Sequence, residues 1–222
     1  LPLARLFVSL EVEGLEHLAS LTGPVIFAAN HQSHFDAPMI LQALGPRWRY
    51  RLAPAMAKEF FKAHFHPAQF GRGARITNGL NYYLATLFFN AFPLPQRESG
   101  TRQTLRYVGE LVGEGYSILI FPEGRRTDDG AINRFQPGVG MIASRLDVPV
   151  VPVRLDGLDR ILHHTWRFPS RGPARVAFGP PMLLHGNDYA GLAAQVEAAV
   201  RGLSGWVCFV QRQYGTIFDW KG

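Results

Sequence analysis

A single cysteine, Cys208, stands in 222 residues, so no intrachain disulfide forms and the fold must hold through its core. Its apolar setting, Trp206-Val207-Cys208-Phe209-Val210, suits a buried, inert thiol in a reducing compartment better than a nucleophile. No stretch reaches the ~18 to 20 continuous apolar residues of a spanning helix, and no signal-peptide pattern is present. The G-x-S-x-G elbow of serine hydrolases is missing, which argues against an esterase or thioesterase of that kind. H-E-x-x-H and paired cysteines are missing too, which argues against a zinc site. Positive charge is not gathered in one stripe, and no nucleic-acid motif appears, so a nucleic-acid partner is not expected.

What is present is enough apolar material for one substantial core: 47% of the chain is hydrophobic. With no repeat or low-complexity linker, residues 1–222 read as a single domain. Its start at Leu1 rather than Met fits a segment of a longer chain, with an additional anchoring or partner domain beyond it. The formal charge of +6 and a pI near 9.8 draw the chain toward polyanions: anionic lipid surfaces, CoA phosphates or an acidic carrier protein. The expectation is a peripheral protein on the cytoplasmic face of a membrane.

Strand-like runs at residues 25–29, 50–55, 116–121, 148–155 and 175–178 alternate with helical stretches near 37–44, 79–90, 101–113, 139–146 and 189–201. This alternation predicts an α/β fold, a central mixed sheet flanked by helices. The prolines in Val148-Pro149-Val150-Val151-Pro152-Val153-Arg154-Leu155 predict an edge strand or a strand end there. Two segments suit a membrane interface: Leu1–Val8, and the aromatic, nearly uncharged 80–90, which equally suits a core helix. His163 and His164, beside Trp166 and Arg167, read as surface residues of a basic aromatic loop, with contact to the lipid or the thioester carrier as the alternative, and Lys58–Lys62 as an amphipathic turn.

Two strand ends carry chemistry. The first is Asn30-His31-Gln32-Ser33-His34-Phe35-Asp36, between an apolar run and a helix with Pro38 in its first turn. His31 and Asp36 would lie on different faces of one continuous helix, so they meet only if the chain turns between them. An imidazole held by a carboxylate at one ring nitrogen can take a proton at the other. The free N–H groups at the helix start are expected to favour the Asp36 carboxylate and are candidates for holding an oxyanion. Three alternatives stay open: His31 and Asp36 as plain strand and helix caps, His34 as the base, and His31, His34 and Asp36 as metal ligands. The second junction is Phe121-Pro122-Glu123-Gly124-Arg125-Arg126-Thr127, where Gly124 permits close backbone approach and two guanidinium forks suit phosphate oxygens.

Taken in order, four segments resemble the motif blocks of the glycerolipid acyltransferases, which include lysophosphatidic acid and glycerol-3-phosphate acyltransferases. Asn30-His31 through Asp36 is similar to N-H-x-x-x-x-D, and Arg97 falls where the second block has an arginine. Phe121 through Thr127 resembles F-P-E-G-T-R-S, and Val150-Val151-Pro152-Val153 the proline-bearing fourth block. The resemblance implies a glycerolphosphate acyltransferase-like fold and transfer of an acyl group from acyl-CoA or acyl-carrier protein to a lysophospholipid such as 1-acyl-glycerol-3-phosphate. Glycerol-3-phosphate or another lysolipid is the alternative acceptor, and a thioesterase or a non-catalytic lipid-binding module the alternative function. The implied base is His31, oriented by Asp36, with neither metal, cofactor nor acyl-enzyme. Arg97, Glu123, Gly124 and Arg126 are implied on the phosphate and acceptor side. Arg125 and Thr127 depart from the family pattern, and Arg125 adds positive charge to the acceptor pocket.

Overall fold

A computed structural model describes residues 7–57, 71, 92–94, 101–127, 130–162 and 170–203. The expectations for residues 1–6 of the segment Leu1–Val8, for 58–62, 79–90, 163–164 and 208, and for Arg97, lie outside these.

Alternation of apolar and polar residues in Val8-Ser9-Leu10-Glu11-Val12-Glu13 makes a half-buried strand, β1 (Val8–Glu13), with Val8, Leu10 and Val12 toward the core. Further strands follow: β2 (Ile26–Ala29), β3 (Leu52–Ala57), β4 (Phe92–Leu94), β5 (Ser117–Ile120), β6 (Val150–Asp156) and β7 (Gly172–Phe178). They form one seven-stranded sheet in the order β1-β7-β6-β2-β5-β3-β4. All neighbours pair in parallel except β6 with β7, so β1 and β7 run against the other five. The fold is the mixed α/β sheet flanked by helices that the sequence predicts.

Both faces of the central strands are covered. Every residue of β2 and β5 is buried, as expected for parallel strands between two helical layers. One face carries Phe27, Ala29, Leu119, Val151 and Val153 against α1 (Asp36–Ala43) and α2 (Pro46–Arg49). There Phe27 meets Trp48 and Phe178 edge-on, with ring centroids 5.6 and 6.0 Å apart. The other face carries Ile26, Ala28, Ile118, Ile120 and Val150 against α3 (Thr101–Gly113), α4 (Gly138–Leu146) and α6 (Tyr189–Gly202); the one-turn α5 (Leu158–Ile161) follows β6.

Two expectations need correction. β6 is no edge strand: it lies between β2 and β7. Its Pro152 is tolerated because the missing N–H falls on the β7 side, where pairing has stopped. There β7 ends at Phe178, Gly179 donates to the Pro152 carbonyl, and the ladder resumes only at the Val150–Met182 bridge. The strand placed at 50–55 starts instead at Leu52, because Pro46 opens α2 and the 72%-exposed Tyr50 closes it. No helix among the described residues is long and apolar enough to cross a membrane.

Candidate active site

Since β2 and β5 are parallel neighbours, both chemistry-bearing junctions emerge at the same rim of the sheet. β6 flanks β2 on its other side, and the chain leaves β2 toward β3 but returns from β5 across β2 to β6. Such a reversal point, at the carboxyl ends of the strands, is where open α/β sheets hold ligands.

Asn30 fixes where β2 ends. Its side-chain amide accepts from Leu155 N at 2.7 Å and donates to Leu155 O at 2.9 Å, copying a strand's hydrogen bonds across to β6. The chain then turns, and His31 Nδ1 comes 2.6 Å from Asp36 Oδ2. The same oxygen accepts from Gln32 N at 2.6 Å and Ser33 N at 2.9 Å. A fully buried carboxylate with these donors is an acceptor, so Nδ1 donates; in the neutral form of the ring the lone pair then sits on Nε2. The His31 side chain keeps 17% exposure, so the ring is not sealed in.

The donors to Asp36 correct one expectation. They belong to the turn before α1, not to the helix start, and Asp36 is the first residue of α1 rather than its cap. The N–H groups of Gln32 and Ser33, being engaged by Asp36, are not free to hold an oxyanion. Asp36 pairs with His31, while His34 is exposed. Among the described residues, no group of three His, Cys, Asp or Glu side chains is arranged to hold a metal ion.

The second junction closes on the first. The Glu123 Oε1 accepts from His31 N and Oε2 from Asn133 N, each at 2.8 Å. Glu123 is only 4% exposed. Burial raises its carboxyl above the ordinary value of 4.5, although the two backbone donors and the nearby His31 pull the other way. The carboxylate expected on the acceptor side is thus committed to the backbone of the histidine. Thr127 N donates to the His31 carbonyl at 3.0 Å, so both polar backbone groups of His31 are held from this loop. Gly124 turns with φ +73°, the left-handed region that glycine enters freely, and its N–H returns to the Phe121 carbonyl. Phe121 itself stacks on the His31 ring, with centroids 4.1 Å apart and planes 20° off parallel.

Of the two arginines, Arg125 is exposed and Arg126 partly buried. Burial lowers the Arg126 guanidinium from its usual value and the charge of Asp36 opposes that, so Arg126 lies within electrostatic reach of the histidine's partner. The structure therefore brings His31, Asp36, Glu123 and Arg126 together.

Sequence reasoning missed three supports. Asn30 was visible only as a neighbour of His31. Gln32 Nε2 donates to the Gly130 carbonyl at 3.0 Å, and Ser33 Oγ to the Leu162 carbonyl at 2.5 Å. Both pin the turn to loops that no local pattern connects to it.

A family model described as Acyltransferase matches residues 9–156. The 1-acyl-sn-glycerol-3-phosphate acyltransferase BAT2, chloroplastic, of Brassica napus is 28% identical over 157 residues, 70% of this chain and 40% of that protein. The human 1-acyl-sn-glycerol-3-phosphate acyltransferase beta is 29% identical over 181 residues, 81% of this chain and 58% of that protein. The chain thus spans about half the length of these two relatives. The crystal structure of the 1-acyl-sn-glycerophosphate (LPA) acyltransferase PlsC from Thermotoga maritima shares the fold. Its TM-score is 0.61 at 23% identity, covering 88% of this chain and 72% of that one. With the family model matched from β1 to the end of β6, across both junctions of the candidate site, this chain belongs to the Acyltransferase family.

Proposed function

We propose that the chain is an O-acyltransferase that moves a fatty acyl group from an acyl thioester to the hydroxyl of a lysophospholipid such as 1-acyl-glycerol-3-phosphate. The observation that carries this reading is the His31 ring, donating at Nδ1 to Asp36 and partly open to solvent. Nε2 removes the proton of the acceptor hydroxyl as its oxygen attacks the thioester carbonyl. The C–O bond forms, the C–S bond breaks, and the proton passes from Nε2 to the departing thiolate. Asp36 holds the tautomer and stabilises the imidazolium that forms between these events. The step balances with acyl-CoA or acyl-carrier protein as donor and with no further cofactor.

Arg125 and Arg126 offer the acceptor's phosphate a planar, charge-assisted contact, and the names of the relatives support a phosphorylated acceptor. Arg97 is proposed to join them. Positioning of the two substrates supplies much of the rate, because a bimolecular attack becomes a local one.

Thiol release from an acyl-CoA, followed with a panel of lysophospholipids and glycerol-3-phosphate and with the lipid product identified by mass, tests the reading. Release that depends on a phosphorylated acceptor, with an ester product, is expected. Equal release of free fatty acid with and without acceptor would make the chain a thioesterase, and no thioester consumption at all would leave a lipid-binding module.

A further inference from the structure

We propose that the phenyl face of Phe121 stabilises the protonated His31 ring during acyl transfer, making Phe121 a positioning residue for the charged state of the base rather than core filling. The inference rests on the reading of His31 as general base.

The geometry is that of a ring held on a ring. The two centroids lie 4.1 Å apart and the planes diverge by 20°, so the imidazole lies over the phenyl face rather than at its edge. An aromatic face carries the negative part of the quadrupole, and a cation over it is attracted. A neutral imidazole gains packing from this contact; an imidazolium gains an added electrostatic attraction. Interaction that grows only as charge develops lowers the barrier rather than the ground state.

Phe121 is also placed so that it cannot easily move away. It follows directly on the buried strand β5, next to β2, and its carbonyl receives the Gly124 N–H at 3.1 Å. On the other side, His31 is fixed by its backbone N–H to Glu123 and by Nδ1 to Asp36. Asp36 meets the charge from the ring's edge and Phe121 from its face. Both leave Nε2 available to the acceptor.

The test replaces Phe121 by Phe residues bearing one, two and three ring fluorines, which weaken the face potential while keeping the shape. Phe121→Tyr and Phe121→Leu serve as companions. The readout is the single-turnover rate of thioester cleavage with a saturating lysolipid, beside the KM for the acceptor. The rate is expected to fall stepwise with fluorination, by about 3- to 10-fold over the series, with KM unchanged. Phe121→Tyr should retain most of the rate, and Phe121→Leu should lose at least as much as the most fluorinated variant. A flat fluorine series overturns the proposal, whether or not Phe121→Leu is impaired, because the contact then acts by shape alone. A rise in KM at constant rate overturns it equally, by placing Phe121 in acceptor binding. His31→Ala in the same assay separates the two levels: unchanged turnover there sinks the base itself, whereas lost turnover with a flat series sinks only the role of Phe121.

Discussion

Glu123 shows how a residue's surroundings redefine its role. In sequence it is an acid next to two arginines; in the fold both its oxygens hold backbone N–H groups, those of His31 and Asn133. Burial lets its carboxyl keep a proton to higher pH in the folded chain than in the unfolded chain, where 4.5 is the ordinary value. From 4.5 up to that higher value the folded state binds more protons, so each rise in pH favours unfolding. Wild-type stability should therefore decline relative to that of Glu123→Gln as pH rises through this window, since glutamine does not titrate. Thermal melts of both proteins across the range check this; a difference that is flat, or that grows with pH, would contradict the assigned burial cost. At neutral pH the variant should still be weaker in catalysis, because its amide presents one acceptor where two backbone donors point.

At this scale the sequence exposed the local part of the site and hid the rest. His31 and Asp36 lie close in the chain, at a strand-to-helix junction, so their pairing can be argued from spacing alone. The brace from Glu123 to His31 and the link from Asn30 to Leu155 join residues 92 and 125 positions apart. They exist only because β5 and β6 flank β2, and strand order is not written in any local pattern.

Elements position the site by packing closely beneath it. α4 and α6 cover the face of the sheet under β2 and β5, and they meet at Gly140. A Cβ built there would stand 2.6 Å from Tyr189 O and 2.8 Å from Leu192 Cβ, both belonging to α6. The backbone oxygen cannot rotate out of the way, so Gly140→Ala must push the helices apart. Overpacking of this kind costs about 1–3 kcal/mol, and a drop in Tm of several degrees is expected. An unchanged Tm would show that the α4–α6 contact has slack. Helical periodicity and apolar runs revealed most of these elements. β1 is absent from the strands expected from sequence: it alternates apolar and polar residues, but it joins the sheet only by pairing with the distant β7. The prolines of β6 predict an edge strand or a strand end, because proline normally forbids an interior strand; the exception depends on the neighbouring strand stopping short.

For the whole molecule, a net charge of +6 and an arginine pair at the site rim suit a protein that meets its acceptor at an anionic lipid surface. We propose that this charge draws the chain to such a surface. Binding to vesicles containing anionic lipid should weaken markedly as salt rises from about 0.05 to 0.5 M, because the Debye length shortens over that range. Vesicles of neutral lipid should bind less at every salt concentration. Salt-independent adsorption equal on both vesicle types would mean that apolar contacts dominate.

The central claim is that Nε2 of His31 takes the acceptor's proton. The most direct measurement is the single-turnover rate of acyl transfer by His31→Ala beside the unaltered chain, with circular dichroism and Tm confirming that the variant is folded. The account predicts a loss of about 10²- to 10⁴-fold, the usual worth of a general base. A folded His31→Ala protein that transfers acyl groups at the full rate would contradict it.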